Sequence, residues 1–145
     1  MMTVRPGDSI AISGPFGHSL LDSESSRSLV LLAGGTGIAP FWAMLAQMTA
    51  SDVVRPTTLV WGVRTEAEFY ALDRLESLCA GHPVLNRIMI AEDRDQLTID
   101  GILLSDRFPQ DVSLPDSDIY VAGPPAMVAA VLPVLLRAGV DPHHI

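Results

Sequence analysis

The run Leu29-Val-Leu-Leu-Ala33, leading into Gly34, Gly35 and Gly37, constrains this chain more than any other feature. Five apolar residues in succession are of strand length, and continuous rather than alternating apolarity suits a strand covered on both faces. After the glycines, Ile38 to Met48 carries an apolar pattern of helical period. Glycines let a backbone approach an anion with no Cβ in the way, and a helix start offers unpaired N–H groups and the positive end of its dipole. Strand, turn and helix therefore form a candidate anion site. Many nucleotide folds share such a turn. Its distinguishing residue is Pro40, which stands where the fingerprint G-x-G-x-x-G would place its third glycine.

The same alternation continues along the chain. Thr57 to Gly62 reads as a second strand, followed by a helix from Ala67 to Cys79. Val84 to Ala91 reads as a third strand, Gly101 to Phe108 as a short helix, and Pro109 to Asp118 as a polar loop. Ile119 to Ala122 makes a fourth strand, and Pro124 to Ala138 a last helix closed by Gly139. Apolar strands separated by helices imply a parallel sheet with helices on both faces, an α/β, Rossmann-like three-layer domain. Before it, Asp8 to Ser13 alternates like an antiparallel barrel strand.

Composition narrows the function classes. An apolar content of 48% and 18% charged residues describe a folded globule of 145 residues. A net charge of −8 disfavours nucleic acid and anionic membrane surfaces as partners. No apolar run approaches the roughly 18 residues of a membrane span, and the start lacks a signal-peptide pattern. Cys79 is the one cysteine, which excludes an internal disulfide and the four thiolates of an iron–sulfur cluster. A cytoplasmic location is the expectation. His18, His82, His143 and His144 have no metal-ligand spacing, so no metal site is expected. Ser13 and Ser19 have no visible base, and no G-x-S-x-G elbow is present. Cys79 is expected to be buried and inert, and Trp42 and Trp61 to pack in the core.

Four stretches, in order, resemble the ferredoxin–NADP reductase-like flavoproteins: Gly7-Asp-Ser-Ile-Ala-Ile-Ser-Gly-Pro-Phe-Gly17, Gly35-Thr-Gly-Ile-Ala-Pro40, Leu59-Val-Trp-Gly-Val-Arg-Thr-Glu66 and Ile119-Tyr-Val-Ala-Gly-Pro-Pro-Ala-Met127. The resemblance runs from about Gly7 to the end. It implies that residues 1–27 are the end of a flavin-barrel strand plus the interdomain connection, and that 28–145 are the NAD(P)-binding domain with its last strand cut short. FAD would sit on a separate barrel domain, in cis or in trans, and Phe16 would face it. The arginine–tyrosine flavin motif of the family is not found here.

The resemblance also implies the site. Gly35, Thr36, Gly37, Ile38 and Pro40 would form the first ligand loop, with Thr36 beside the nicotinamide as the one candidate catalytic contact. Its simpler role is to cap the following helix. Gly123, Pro124, Pro125 and Met127 would bring a second helix start to the crevice outside the strand ends. The family's cysteine before that glycine is replaced by Ala122. Arg64, Asp93 and Arg94 are adenosine-side candidates. Glu92 and Asp93 would repel a 2′-phosphate, whereas a carboxylate accepts a hydrogen bond from a free ribose hydroxyl, so NADH is expected rather than NADPH. A side chain at Gly37 is expected to block the phosphate while leaving the fold intact. The implied activity is a flavin-dependent NAD(P)H oxidoreductase passing electrons to an iron–sulfur protein or an oxygenase. Two alternatives stay open: a non-catalytic NAD-binding electron-transfer subunit, and a nucleotide-binding enzyme such as a methyltransferase.

Overall fold

A computed structural model describes residues 5–14, 21–22, 24–51 and 54–145. Phe16, His18 and Ser19 lie outside the described residues. Four parallel strands form one sheet in the order β3-β2-β1-β4, with β1 Ser28–Gly34, β2 Thr57–Val63, β3 Leu85–Ala91 and β4 Ser117–Ala122. The helices are α1 Ile38–Ala50, α2 Leu72–Ala80, α3 Glu92–Asp95, α4 Ile99–Leu103 and α5 Pro125–Arg137.

Alternation of side chains along β1 divides the core into two layers. Leu29, Leu31 and Ala33 face α1 and α2, packing with Trp61, Phe41, Leu45 and Leu75. Val30 and Leu32 face α4 and α5, packing with Val60, Ile102, Val131 and Leu135. Every residue of β2 is buried, as expected of a central parallel strand. The α/β three-layer expectation therefore holds.

Two prolines fall where a missing N–H is harmless, although Pro133 lies inside α5 and removes one of its bonds. Pro40 lies in the first turn of α1, and Pro125 opens α5. At the other end of α5, Gly139 takes a left-handed φ of +87°. The Val140 N–H reaches the Leu135 carbonyl and the Gly139 N–H that of Leu136, a paired closure of the helix end.

Four expectations need correction. Residues 8–13 enter no sheet and are exposed throughout, because alternation confers amphipathicity but a strand also needs a partner edge. The second helix begins only at Leu72, since residues 66–68 form a separate 3₁₀ turn and Ala71 adopts a left-handed φ of +50°. The short helix lies at Ile99–Leu103 rather than 101–108, and Glu92–Asp95 adds a one-turn helix at the end of β3. Cys79 is half-buried, with an Arg87 guanidinium nitrogen 3.8 Å from its sulfur.

A buried ionic knot joins Asp22 and Arg27 to the sheet. Arg55 is 3% exposed and donates to the carbonyls of Arg27 and Asp22 and to Asp118 Oδ2 at 2.6 Å. Arg27 and His144 approach Asp118 Oδ1 at 3.2 and 3.0 Å. Burial alone would raise the Asp118 pKa. Hydrogen bonds from Ser25, Arg55 and His144, with the Arg55 charge, outweigh it and hold the carboxyl below its usual range.

Candidate functional site

Register brings the carboxyl ends of the strands level. Gly34 pairs with Gly62, Val63 with Ala91, and Ala33 with Ala122. The chain runs outward from β1 to β3, then returns to place β4 on the other side of β1. In an open α/β sheet, ligands bind outside the strand ends beside such a reversal. A cleft of about 370 Å³ opens there. Gly34 and Gly35 come from the end of β1, Gly62, Val63 and Arg64 from β2, and Pro124, Ala126, Met127 and Ala130 from α5. Glu68, Glu92, Thr98, Ile99 and Asp100 complete the lining. A larger cavity, about 510 Å³, lies along β4 and the chain end and contains none of the glycine turn.

The glycines of the turn have three different physical reasons. Gly35 has φ +54°, which favours glycine, and a Cβ built on it would meet nothing within 4 Å. Gly35 is also among the residues that line the cleft. Gly34 has no room, because a Cβ there would lie 2.5 Å from Met127 Sδ and 2.9 Å from Pro124 Cδ. Gly37 lets α1 rest on β4: a Cβ would fall 2.5 Å from the Ala122 carbonyl carbon and nearer still to its oxygen. A side chain at Gly37 thus collides with protein backbone, and the expectation of an intact fold after substitution fails.

Thr36 is exposed and makes no cap hydrogen bond at either adjoining helix start, so the capping role is not taken up. It does not line the cleft, nor do Gly37, Ile38, Pro40, Asp93, Arg94, Gly123 or Pro125. The Ile38 side chain is fully buried in the α1 layer. Of the residues singled out from sequence, the cleft gathers Gly35, Arg64, Pro124 and Met127, with Glu92.

On the acidic side, Glu92 rather than Asp93 reaches the cleft, alongside Glu68 and Asp100. The Asp93 N–H is used by the Arg64 carbonyl, 3.0 Å away, which ties the end of β3 to that of β2. Arg94 is already engaged, 2.5 Å from Glu66 and 2.9 Å from Asp95. Hydrogen bonding to Asp95 raises the Arg94 pKa, and the same bond, with the Ala91 N–H, lowers that of Asp95. Arg64 pairs with Glu68 at 2.9 Å, yet its side chain is 81% exposed and free to be redirected. It is the one cation among the residues lining the cleft.

Sequence reasoning missed the contribution of α4. Thr98, Ile99 and Asp100 lie far along the chain from the glycine turn, and only the crossover brings them to the strand ends. Gly62 gave a clue, because a Cβ there would stand 2.9 Å from Ile99 Cγ1. Among the described residues, no cluster of three or more His, Cys, Asp or Glu side chains could hold a metal ion. No helix among them is long and apolar enough to cross a membrane.

Residues 31–132 match the family model for an oxidoreductase NAD-binding domain. The chain is 34% identical over 144 residues to the ferredoxin–NAD(P)(+) reductase component of the naphthalene 1,2-dioxygenase system of Pseudomonas putida, covering 98% of this chain and 44% of that protein. It is 34% identical to the toluate 1,2-dioxygenase electron transfer component of Pseudomonas putida, over 97% of this chain and 42% of that one. Among solved structures, it resembles the cytochrome P450 reductase GcoB of Amycolatopsis with a TM-score of 0.72 and 27% identity, covering 91% of this chain and 41% of that one. The chain therefore spans less than half the length of these relatives. The transferase alternative is set aside by the family match.

Proposed function

Because the chain belongs to the oxidoreductase NAD-binding domain family, we propose that it binds NADH in the cleft at the strand ends and serves as the dinucleotide-binding part of a flavin-dependent reductase. The observation that carries this reading is the convergence of the glycine turn, the start of α5 and Arg64 on one cleft. The open side of Gly35 gives room for close backbone approach, Ile99 and Met127 offer apolar surface to a flat ring, and Arg64 offers a charge to a pyrophosphate. When bound, the dinucleotide supplies a hydride for a flavin held by a separate domain, and electrons then pass to an iron–sulfur protein or an oxygenase. The names of the relatives, components of dioxygenase systems, support that acceptor class.

The preference for NADH rests on charge. Three carboxylates, Glu68, Glu92 and Asp100, line the cleft with one guanidinium. Arg94, the other cation near the end of β3, is held by two carboxylates. A 2′-phosphate within about 4 Å of a single carboxylate meets roughly 1 to 4 kcal/mol of repulsion between bulk-water and near-surface dielectric values. Calorimetric titration with NADH and NADPH tests this. The wild-type chain should bind NADH more tightly, and Glu92→Gln should narrow the ratio by about fivefold, corresponding to roughly 1 kcal/mol. Asp93→Asn should narrow it less. Tighter NADPH binding by the wild type would refute the preference, and absence of binding to either would refute the site.

A further inference from the structure

Trp61 does more than fill the core. Its ring is fully buried, and its Nε1–H donates to the Gly35 carbonyl at 2.9 Å. Three aromatic rings meet it edge-on and leave it one orientation. Phe69 stands with its centroid 4.9 Å away, Tyr70 5.6 Å and Trp42 6.3 Å, at interplanar angles of 76°, 88° and 79°. The acceptor is the glycine with left-handed φ that borders the cleft.

A trans peptide group is planar, so its carbonyl oxygen and the following N–H point in opposite directions. The indole draws the Gly35 carbonyl towards the α1/α2 layer. The Thr36 N–H on the same peptide must then point away from that layer. Glycine without a side chain has several backbone conformations of similar energy, and here a side-chain donor selects one of them. We infer that Trp61 is a positioning residue for dinucleotide binding: by holding the Gly35 carbonyl it presets the Gly35–Thr36 peptide, with its N–H available to an oxygen of the ligand. This rests on the reading of the cleft as the dinucleotide site.

Trp42 supplies an internal control. It belongs to the same aromatic cluster and is 8% exposed, but its buried Nε1 has no hydrogen-bond partner among the described residues. Removing its indole should perturb packing and its contact with the Arg74 guanidinium, 5.3 Å from the ring centroid, while leaving the Gly35 carbonyl held. The experiment compares Trp61→Phe with Trp42→Phe, reading thermal midpoint by calorimetry and NADH dissociation constant by titration. Both variants should lower the midpoint. Trp61→Phe should also weaken NADH binding about three- to tenfold, the range expected for one neutral hydrogen bond. Trp42→Phe should leave affinity within twofold. A third variant carries 3-benzothienylalanine at position 61 in the Trp42→Phe background, replacing N–H by sulfur at nearly constant shape. It should reproduce the affinity loss, and it decides the question if Trp61→Phe does not fold. Equal affinity changes for the two phenylalanine variants, or full affinity with benzothienylalanine, would overturn the positioning role while leaving the binding site standing. Failure of the wild-type chain to bind NADH would instead overturn the reading of the cleft, and the positioning role with it.

Discussion

Replacing Gly37 by alanine should unfold the chain more readily than replacing Gly35, although the two glycines lie two residues apart. At Gly37 the added Cβ falls 2.5 Å from the Ala122 carbonyl carbon and closer to its oxygen. Favourable contacts between heavy atoms begin near about 3.5 Å, so the backbones must separate by roughly 1 Å or more. Neither side can yield easily. Ala122 is in register with Ala33 on β1, and α1 is anchored by Ile38, Phe41 and Leu45, each at most 1% exposed. Overpacking costs about 1 to 3 kcal/mol where side chains can adjust, and an obstacle made of backbone places this case at about 3. At Gly35 no atom lies within 4 Å, and the cost is the left-handed φ of +54°, about 1 kcal/mol for alanine. With a urea slope of about 1.5 to 2 kcal/mol/M, the unfolding midpoint should fall by roughly 1.5 to 2 M for Gly37→Ala and about 0.5 M for Gly35→Ala. Urea titration followed by circular dichroism reads both. A Gly37→Ala midpoint equal to or above that of Gly35→Ala would refute the assignment of Gly37 to helix–strand packing.

Two further outcomes follow from side chains at opposite ends of the sheet. Thr36→Val should leave stability within about 0.5 kcal/mol, since its hydroxyl caps nothing, and NADH affinity within about twofold, since Thr36 does not line the cleft. A loss of NADH affinity of about threefold or more with ADP-ribose binding unchanged, measured by calorimetry, would refute this and bring the hydroxyl to the nicotinamide. Asp118→Asn should cost about 3 kcal/mol or more in urea unfolding, because the buried Arg55 guanidinium loses its charged partner. The Asp118 pKa lies below the unfolded value of 3.8, so its stabilisation is present above about pH 4 and lost as pH falls through the lower folded-state value. The thermal midpoint of Asp118→Asn should therefore decline less steeply with acidification below pH 4 than that of the wild type. Parallel declines would refute the assignment.

The order of elements was legible from local patterns alone. Leu29 to Ala33 and Leu59 to Val63 are apolar without interruption, and a segment buried on both faces needs no distant information to declare itself. Gly139 and Pro125 mark helix ends through backbone chemistry that is equally local. The start of α2 was misplaced because the left-handed turn at Ala71 is written by no glycine. The segment 8–13 carries a strand's alternation but enters no sheet, since pairing belongs to two segments and not to one.

The site divides along the same line. A ligand turn at Gly35 and a second helix start at Pro125 follow from sequence, because glycine and proline act on their own backbone. Which glycine is open to a ligand and which touches Ala122 depended on how closely α1 approaches β4. Whether Glu92 or Asp93 reaches the cleft depended on the one-turn helix after β3, which rotates neighbouring residues apart. The engagement of Arg94 by Glu66 spans 28 positions, and that of Trp61 with the Gly35 carbonyl spans 26. Residue type and spacing determined what this chain could bind. The juxtaposition of β1, β2 and β3 at their carboxyl ends decided which atoms are left to bind it, because a hydrogen bond or a collision is a relation between segments that no single segment encodes.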